Sequence, residues 1–205
     1  MIWKSSYSKG DFIKACQKGQ LHIVKYMVAL NCGIHEKDNE GYNGFMHACA
    51  RGHLNIVKYL VEMNSKYFNY GTHEKDNKGF NGFMIACSQG HLNIVKYLVE
   101  KNADADEKNF RAQNGCMIAF NFQRYNILVY LLEQGYQVND EECHQRIIND
   151  AEACETIQNR IEKIKNYYQE IEEIWNEFDL INEIYVIREI ENWTYNLQNL
   201  QSCLN

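Results

Sequence analysis

Between Leu54 and Val61 the apolar residues are Leu54, Ile56, Val57, Leu60 and Val61, the spacing of one broad helical face. The face recurs because the eleven residues Gly-His-Leu-Asn-Ile-Val-Lys-Tyr-Leu-Val-Glu stand unchanged at 52–62 and again at 90–100. Weaker copies begin at Gly19 and Gln123, so equivalent positions step by 33, 38 and 33 residues. A period of that length signals stacked modules rather than one irregular core.

The segment before each copy is also repetitive. Asp38-Asn39-Glu40-Gly41-Tyr42-Asn43-Gly44-Phe45-Met46 is answered by Asp76-Asn77-Lys78-Gly79-Phe80-Asn81-Gly82-Phe83-Met84. Asp-x-x-Gly is turn chemistry, and Asn43, Asn81 and Asn114 stand where a side-chain oxygen caps the free amides of a short first helix. Gly52 and Gly90 end that helix in the left-handed conformation, which glycine enters without steric cost. The second helix closes on Asn31, Asn64 or Asn102, residues suited to a left-handed cap, and on Gly135 in the last copy. No repeat of this kind buries its own apolar stripe, so Ile56, Leu60, Ile94 and Leu98 are expected to pack across module boundaries.

Period, turn, alanine and Gly-His coincide in consecutive copies, and in this the chain from about Gly10 to Asn139 resembles the ankyrin-repeat family. The family pattern Thr-Pro-Leu-His becomes Asn43-Gly44-Phe45-Met46, Asn81-Gly82-Phe83-Met84 and Asn114-Gly115-Cys116-Met117, and the chain holds no proline. Softer helix starts than in consensus members are expected, since proline would otherwise fix φ there. The wording of the repeats looks most like the ankyrin proteins of large DNA viruses of amoebae. The implied fold is all-α: an ankyrin-repeat solenoid, each repeat a helix-turn-helix plus hairpin loop, with a C-terminal helical extension. Residues 1–139 are divided into a cap repeat at 8–37 and repeats at 38–75, 76–108 and 109–139. The last repeat has drifted, with Ala112 at the turn glycine and Gln123-Arg124 in place of Gly-His.

Charge marks a boundary. Residues 1–139 carry 16 Lys/Arg against 12 Asp/Glu, a net +4, and residues 140–205 carry 5 against 15, a net −10. The first figure is too small for a nucleic-acid footprint, and Lys25, Lys58 and Lys96 recur at one scaffold position, where a solvated face is expected. The acidic part reads as a helical tail. From Cys154 its apolar positions run Ile157, Ile161, Ile164, Tyr168, Ile171, Trp175 and Phe178, a heptad seam, and a second cluster runs from Leu180 to Leu200. Two arrangements fit: an antiparallel helix pair breaking near Asn176 to Asp179, packed together or over the exposed face of the fourth repeat, or a coiled coil with itself or a partner.

Chemistry is sparse. Cys16, Cys49 and Cys87 recur beside the core alanine and read as small buried thiols, and Cys143-His144 has no partner at zinc-ligand spacing. Cys203 is not placed for prenylation, and nothing approaches the roughly eighteen apolar residues of a membrane span. His53 and His91 fill a scaffold position, as do His35 and His73, and no nucleophile elbow or phosphate loop occurs. The expectation is an intracellular, cytoplasmic non-enzyme without cofactor or metal, with no nucleic-acid or membrane partner, monomeric rather than homodimeric.

The family resemblance implies a protein partner, a host protein if the chain is viral, held by hairpin tips and first helices. Carried onto this chain, the tip residues are Asn39, Glu40, Tyr42, Asn77, Lys78, Phe80, Phe110, Arg111 and Gln113. On the first helices they are Ala50, Arg51, Ser88 and Gln89. Tyr42 and Phe80 are either exposed anchors or rings packed on neighbouring hairpins. An aromatic insertion, Ser65 to Gly71, is a further candidate lip. The alternative function is an adaptor whose tail docks degradation machinery, although no Leu-Pro opening of such a segment occurs.

Overall fold

The computed structural model describes residues 10–64, 74–101, 107–138, 140–177 and 183–204, apart from the side chains at 64, 167–168 and 170–193. The insertion at Ser65 to Gly71 and the Asn102 cap therefore lie outside the described residues, and so do the side chains of Asn64, of the seam from Tyr168 to Phe178 and of the cluster from Leu180 to Trp193. The described residues form eleven helices and no strand, apart from one isolated bridge between Lys37 and Asn43. The chain divides into two compact units, Met1–Ile118 and Ala119–Asn205.

The first unit holds three pairs: α1 (Asp11–Gln17) with α2 (Leu21–Ala29), α3 (Gly44–Arg51) with α4 (Leu54–Asn64), and α5 (Gly82–Gln89) with α6 (Leu92–Glu100). First helices pack on first helices and second on second, giving two layers. The caps are those the sequence predicts. Asn43 and Asn81 accept from the N–H of Met46 and Met84 at 2.9 Å, and Asn114 accepts from Met117 at 3.1 Å. Gly52 and Gly90 are left-handed, at φ 77° and 86°. Asn31 ends α2 with φ 51°.

The residues of the repeated block serve the boundary between repeats. The His53 ring lies on Gly19, where an added Cβ would come within 2.8 Å of it, and its Nε2 donates to the Gln17 carbonyl at 2.9 Å. His91 does the same one repeat later, against Gly52 and the Ala50 carbonyl at 3.0 Å. The lysines expected only to be solvated also reach across: Lys25 sits 5.5 Å over the Tyr59 ring and Lys58 sits 5.4 Å over Tyr97, cation–π contacts between successive repeats. Ile56, Leu60, Ile94 and Leu98 are buried.

The systematic departure from Thr-Pro-Leu-His now has a cause. A Cβ on Gly44 would collide with the Phe12 ring, and one on Gly82 with the Phe45 ring. Phenylalanine at the third position of the motif is therefore matched by glycine at the second position in the next repeat: a larger ring fills the space that a missing side chain leaves. Cys16 and Cys49 meet the same glycines as these rings, and with Cys87 they are fully buried; burial pushes the Cys16 thiol up to about 12 and the other two higher still. They are inert packing residues.

A helix at Gly115–Asn121, α7, runs across the division between units. The second unit continues with α8 (Tyr125–Glu133), α9 (Glu141–Asn149), α10 (Ala151–Glu177) and α11 (Glu183–Leu204). Both α10 and α11 pack on α8 and on each other, with Ile127, Leu131 and Leu132 of α8 buried. The described part of the seam, Ile157, Ile161 and Ile164, is buried within the single chain. Buried Glu133 pairs with Arg160, and Tyr125 donates to Asp150 at 3.1 Å, tying α8 to the start and middle of the tail. Among its described residues the tail holds one more helix than the sequence separates: Asp140 caps the start of α9, and Asp150 opens a new helix by accepting from Ala153 at 2.9 Å.

Two positions in the drifted repeat carry left-handed backbone without glycine, Ala112 at φ 58° and Gln123 at φ 56°. Ala112→Gly and Gln123→Gly are each expected to stabilise by about 1 kcal/mol, measured by urea unfolding. Gly82→Ala is expected to cost about 1–3 kcal/mol through overpacking on Phe45. Adding Phe45→Leu should make the double change cost less than the sum of the single ones by more than about 0.5 kcal/mol, and additivity would refute the ring-for-glycine match.

Candidate partner-binding surface

Each hairpin is built on one side chain. Asp38 Oδ1 accepts from the N–H of Glu40 and Tyr42 at 3.0 and 2.9 Å, and Asp76 Oδ1 from Lys78 and Phe80 at 2.8 and 2.7 Å. In the fourth repeat Asn109 takes over, accepting from Arg111 and Gln113 at 2.9 and 3.0 Å. Successive tips are joined through the backbone, Asn77 N–H to the Glu40 carbonyl at 3.1 Å and Phe110 N–H to the Lys78 carbonyl at 3.3 Å. Behind them runs an ionic ladder that periodicity alone did not disclose. Lys37 pairs with Glu74 at 2.7 Å and Lys75 with Glu107 at 2.8 Å, each lysine also donating to the carbonyl of the next lysine in the row.

These contacts sort the candidate residues. Asn77 is engaged, its amide donating to the Asn39 carbonyl at 3.0 Å, and Gln113 accepts from Asn109 at 3.0 Å within its own hairpin. Ser88 is buried and donates to the Ile85 carbonyl at 2.8 Å. Tyr42 and Phe80 are half-buried. The Tyr42 ring packs on His47 with centroids 5.2 Å apart. Asn39, Glu40, Lys78, Arg111, Arg51 and Gln89 are exposed, the last two at the ends of α3 and α5, and Phe110 is 74% exposed.

One constellation escaped the sequence reading. His47, on α3, sends Nε2 to Asp38 Oδ2 at 2.7 Å, and the Gln17 amide lies 3.2 Å from its Nδ1. A proton on Nε2 satisfies both bonds. Burial pulls the Asp38 carboxyl upward, but the N–H of Tyr42, the His47 ring and the N–H of Glu40 outweigh it and hold the group below its ordinary value. Burial, aided by the charges of Asp76, Glu40 and Asp38, pushes the Tyr42 phenol up, so it stays neutral. The available signal was an aspartate nine residues before a histidine in one repeat, where its neighbour has Ile85.

A family model described as ankyrin repeats, in three copies, matches residues 12–109 and 66–142, together well over half of the chain. The chain is an ankyrin-repeat protein. Ankyrin repeats generally mediate protein–protein interaction and are typically scaffolds rather than enzymes. No curated protein matches this chain. Among the described residues of this ankyrin-repeat protein, no helix is long and apolar enough to cross a membrane, and no group of three His, Cys, Asp or Glu side chains is placed to hold a metal.

The pH dependence of the second hairpin follows from Asp38. Its folded value lies below the unfolded one, so its stabilisation is complete above the ordinary 3.8 and is lost as pH falls through the lower folded value. Asp38→Asn should keep the hairpin, as Asn109 does, while losing the charged contact to His47. The stability gap between wild type and variant, followed by denaturant unfolding, should therefore hold above the ordinary 3.8 and shrink as pH falls below it, and a gap constant through acid would refute the assignment.

Proposed function

We propose that this chain captures a partner protein on the hairpin tips and first-helix ends of its repeats, while the acidic helices at 140–205 close the fourth repeat. One contrast carries the reading. The side chains that the copies share, Asn at the caps, histidine, and lysine with tyrosine, meet residues of their own or the neighbouring repeat. The residues that differ between copies, Arg51 against Gln89 and Glu40 against Lys78, are exposed. Residues freed from scaffold duty and open to solvent are the ones that can specify a partner. The resemblance of the repeats to viral ankyrin proteins supports a host protein as that partner, met in the cytoplasm.

The packing of α10 and α11 on α8 supports a cap, since a terminal repeat needs its outer apolar face covered. It favours this role over an adaptor whose tail recruits degradation machinery, and burial of Ile157, Ile161 and Ile164 within one chain favours a monomer.

Arg51→Glu combined with Gln89→Lys in the full chain should abolish capture of the protein that wild type takes from host lysate, by at least about tenfold, with the thermal midpoint nearly unchanged. Undiminished capture of that protein would refute the binding face.

A further inference from the structure

Phe110 occupies the tip position that Asn77 fills one repeat earlier. There the asparagine bonds its side chain to the preceding tip, to the Asn39 carbonyl at 3.0 Å. Phenylalanine cannot make that bond. Phe110 keeps only the backbone link, N–H to the Lys78 carbonyl at 3.3 Å, and lays its ring edge against Gly79, where a Cβ would come within 2.8 Å of the ring. The ring remains 74% exposed. Apart from its edge contact with Gly79, the ring is turned to water, in place of a side chain that would bond the preceding tip.

Among the described residues, the exposed charges beside it are all positive. Lys78, beside it through the backbone bond, and Arg111, next in sequence, are both exposed, and so is Lys108. Among the described residues no carboxylate pairs with any of the three. The acids nearby among the described residues already have partners: Asp76 accepts from the N–H of Lys78 and Phe80, Glu74 pairs with Lys37, and Glu107 pairs with Lys75. The position held by Lys78 and Arg111 is held by Glu40 in the second repeat, so the cationic character is confined to the third and fourth tips.

We propose that these two tips bind an acidic protein segment in which an apolar side chain is flanked by carboxylates. The apolar group rests on Phe110, and the carboxylates pair with Lys78 and with the planar fork of Arg111, which accepts a carboxylate through two parallel hydrogen bonds. Aromatic anchors beside arginine supply most of the binding energy in protein contacts, whereas three cations are few for a nucleic-acid backbone. The inference rests on the partner-binding reading above and gives that partner its chemistry.

The test uses the isotope-labelled full chain and the capped peptide Glu-Glu-Leu-Glu-Glu, with amide shifts of residues 76–80 and 109–113 as the readout. The acidic peptide should bind at least about tenfold tighter than Gln-Gln-Leu-Gln-Gln and weaken as salt is raised. Lys78→Glu with Arg111→Glu should transfer the preference to Lys-Lys-Leu-Lys-Lys. Phe110→Asn restores the residue of the preceding tip, so it should keep the fold while abolishing the advantage of the leucine peptide over Glu-Glu-Ala-Glu-Glu. Equal binding of the glutamine peptide, indifference to charge reversal, or tighter binding of single-stranded polyuridylate at the same residues would each overturn the proposal. If Arg51→Glu with Gln89→Lys abolishes protein capture while the Lys78 and Arg111 reversal changes neither capture nor peptide binding, the acidic-segment inference falls and the wider binding face stands. If the peptide behaves as expected but the Arg51 and Gln89 change leaves capture intact, the wider face falls instead.

Discussion

Where two repeats of the first unit meet, a ring from one occupies the space left by a glycine in the other. His53 lies on Gly19 and His91 on Gly52, each also donating to a carbonyl two residues before that glycine, and Phe12 and Phe45 press on Gly44 and Gly82. The first pair of contacts brings the turns together, and the second brings together the starts of the first helices. Both need a bare backbone on one side, because protein interiors are packed densely enough that one added methyl group displaces its neighbours. Repeats that cannot bury their own apolar faces become one continuous core only because the backbones approach this closely.

The remaining shared residues extend the same boundary outward. Lysine over tyrosine covers the second-helix layer, and the Glu-Lys ladder joins the bases of the hairpins. Individually such exposed contacts are weak, since solvent screens them. Their recurrence aligns the tips, so that short variable stretches are presented at a regular interval. Function on this scaffold is then a matter of what each tip and helix end carries, and the passage from Glu40 to Lys78 and Arg111 makes the two ends of the row chemically different.

In the second unit the balance shifts from repetition to covering. α8 lacks the Gly-His start, and its turn is made at Gln123 with a strained left-handed backbone. In compensation it is covered by α10 and α11, and its buried Glu133 is answered by Arg160. Without Arg160 the buried carboxylate of Glu133 would lose this ion pair, which is costly because removing a charge from water is.

The repeat architecture, the helix caps at Asn43, Asn81 and Asn114, the left-handed termini at Asn31, Gly52, Gly90 and Gly135, and the turn residues were legible in the sequence. The caps at Asn43, Asn81 and Asn114 join groups three residues apart, and Gly52 and Gly90 are read from backbone conformation alone. Local rules of that range are written directly in residue order. Periodicity also told which positions are equivalent, but equivalence is not contact. That histidine reaches the preceding glycine, that lysine lies over the next tyrosine, that Phe45 explains Gly82, and that Phe110 stays open while Asn77 is bonded all depend on partners some thirty to forty residues away. Only the folded chain decides these, because the distance between such groups is set by the packing of whole helices rather than by the chain that joins them.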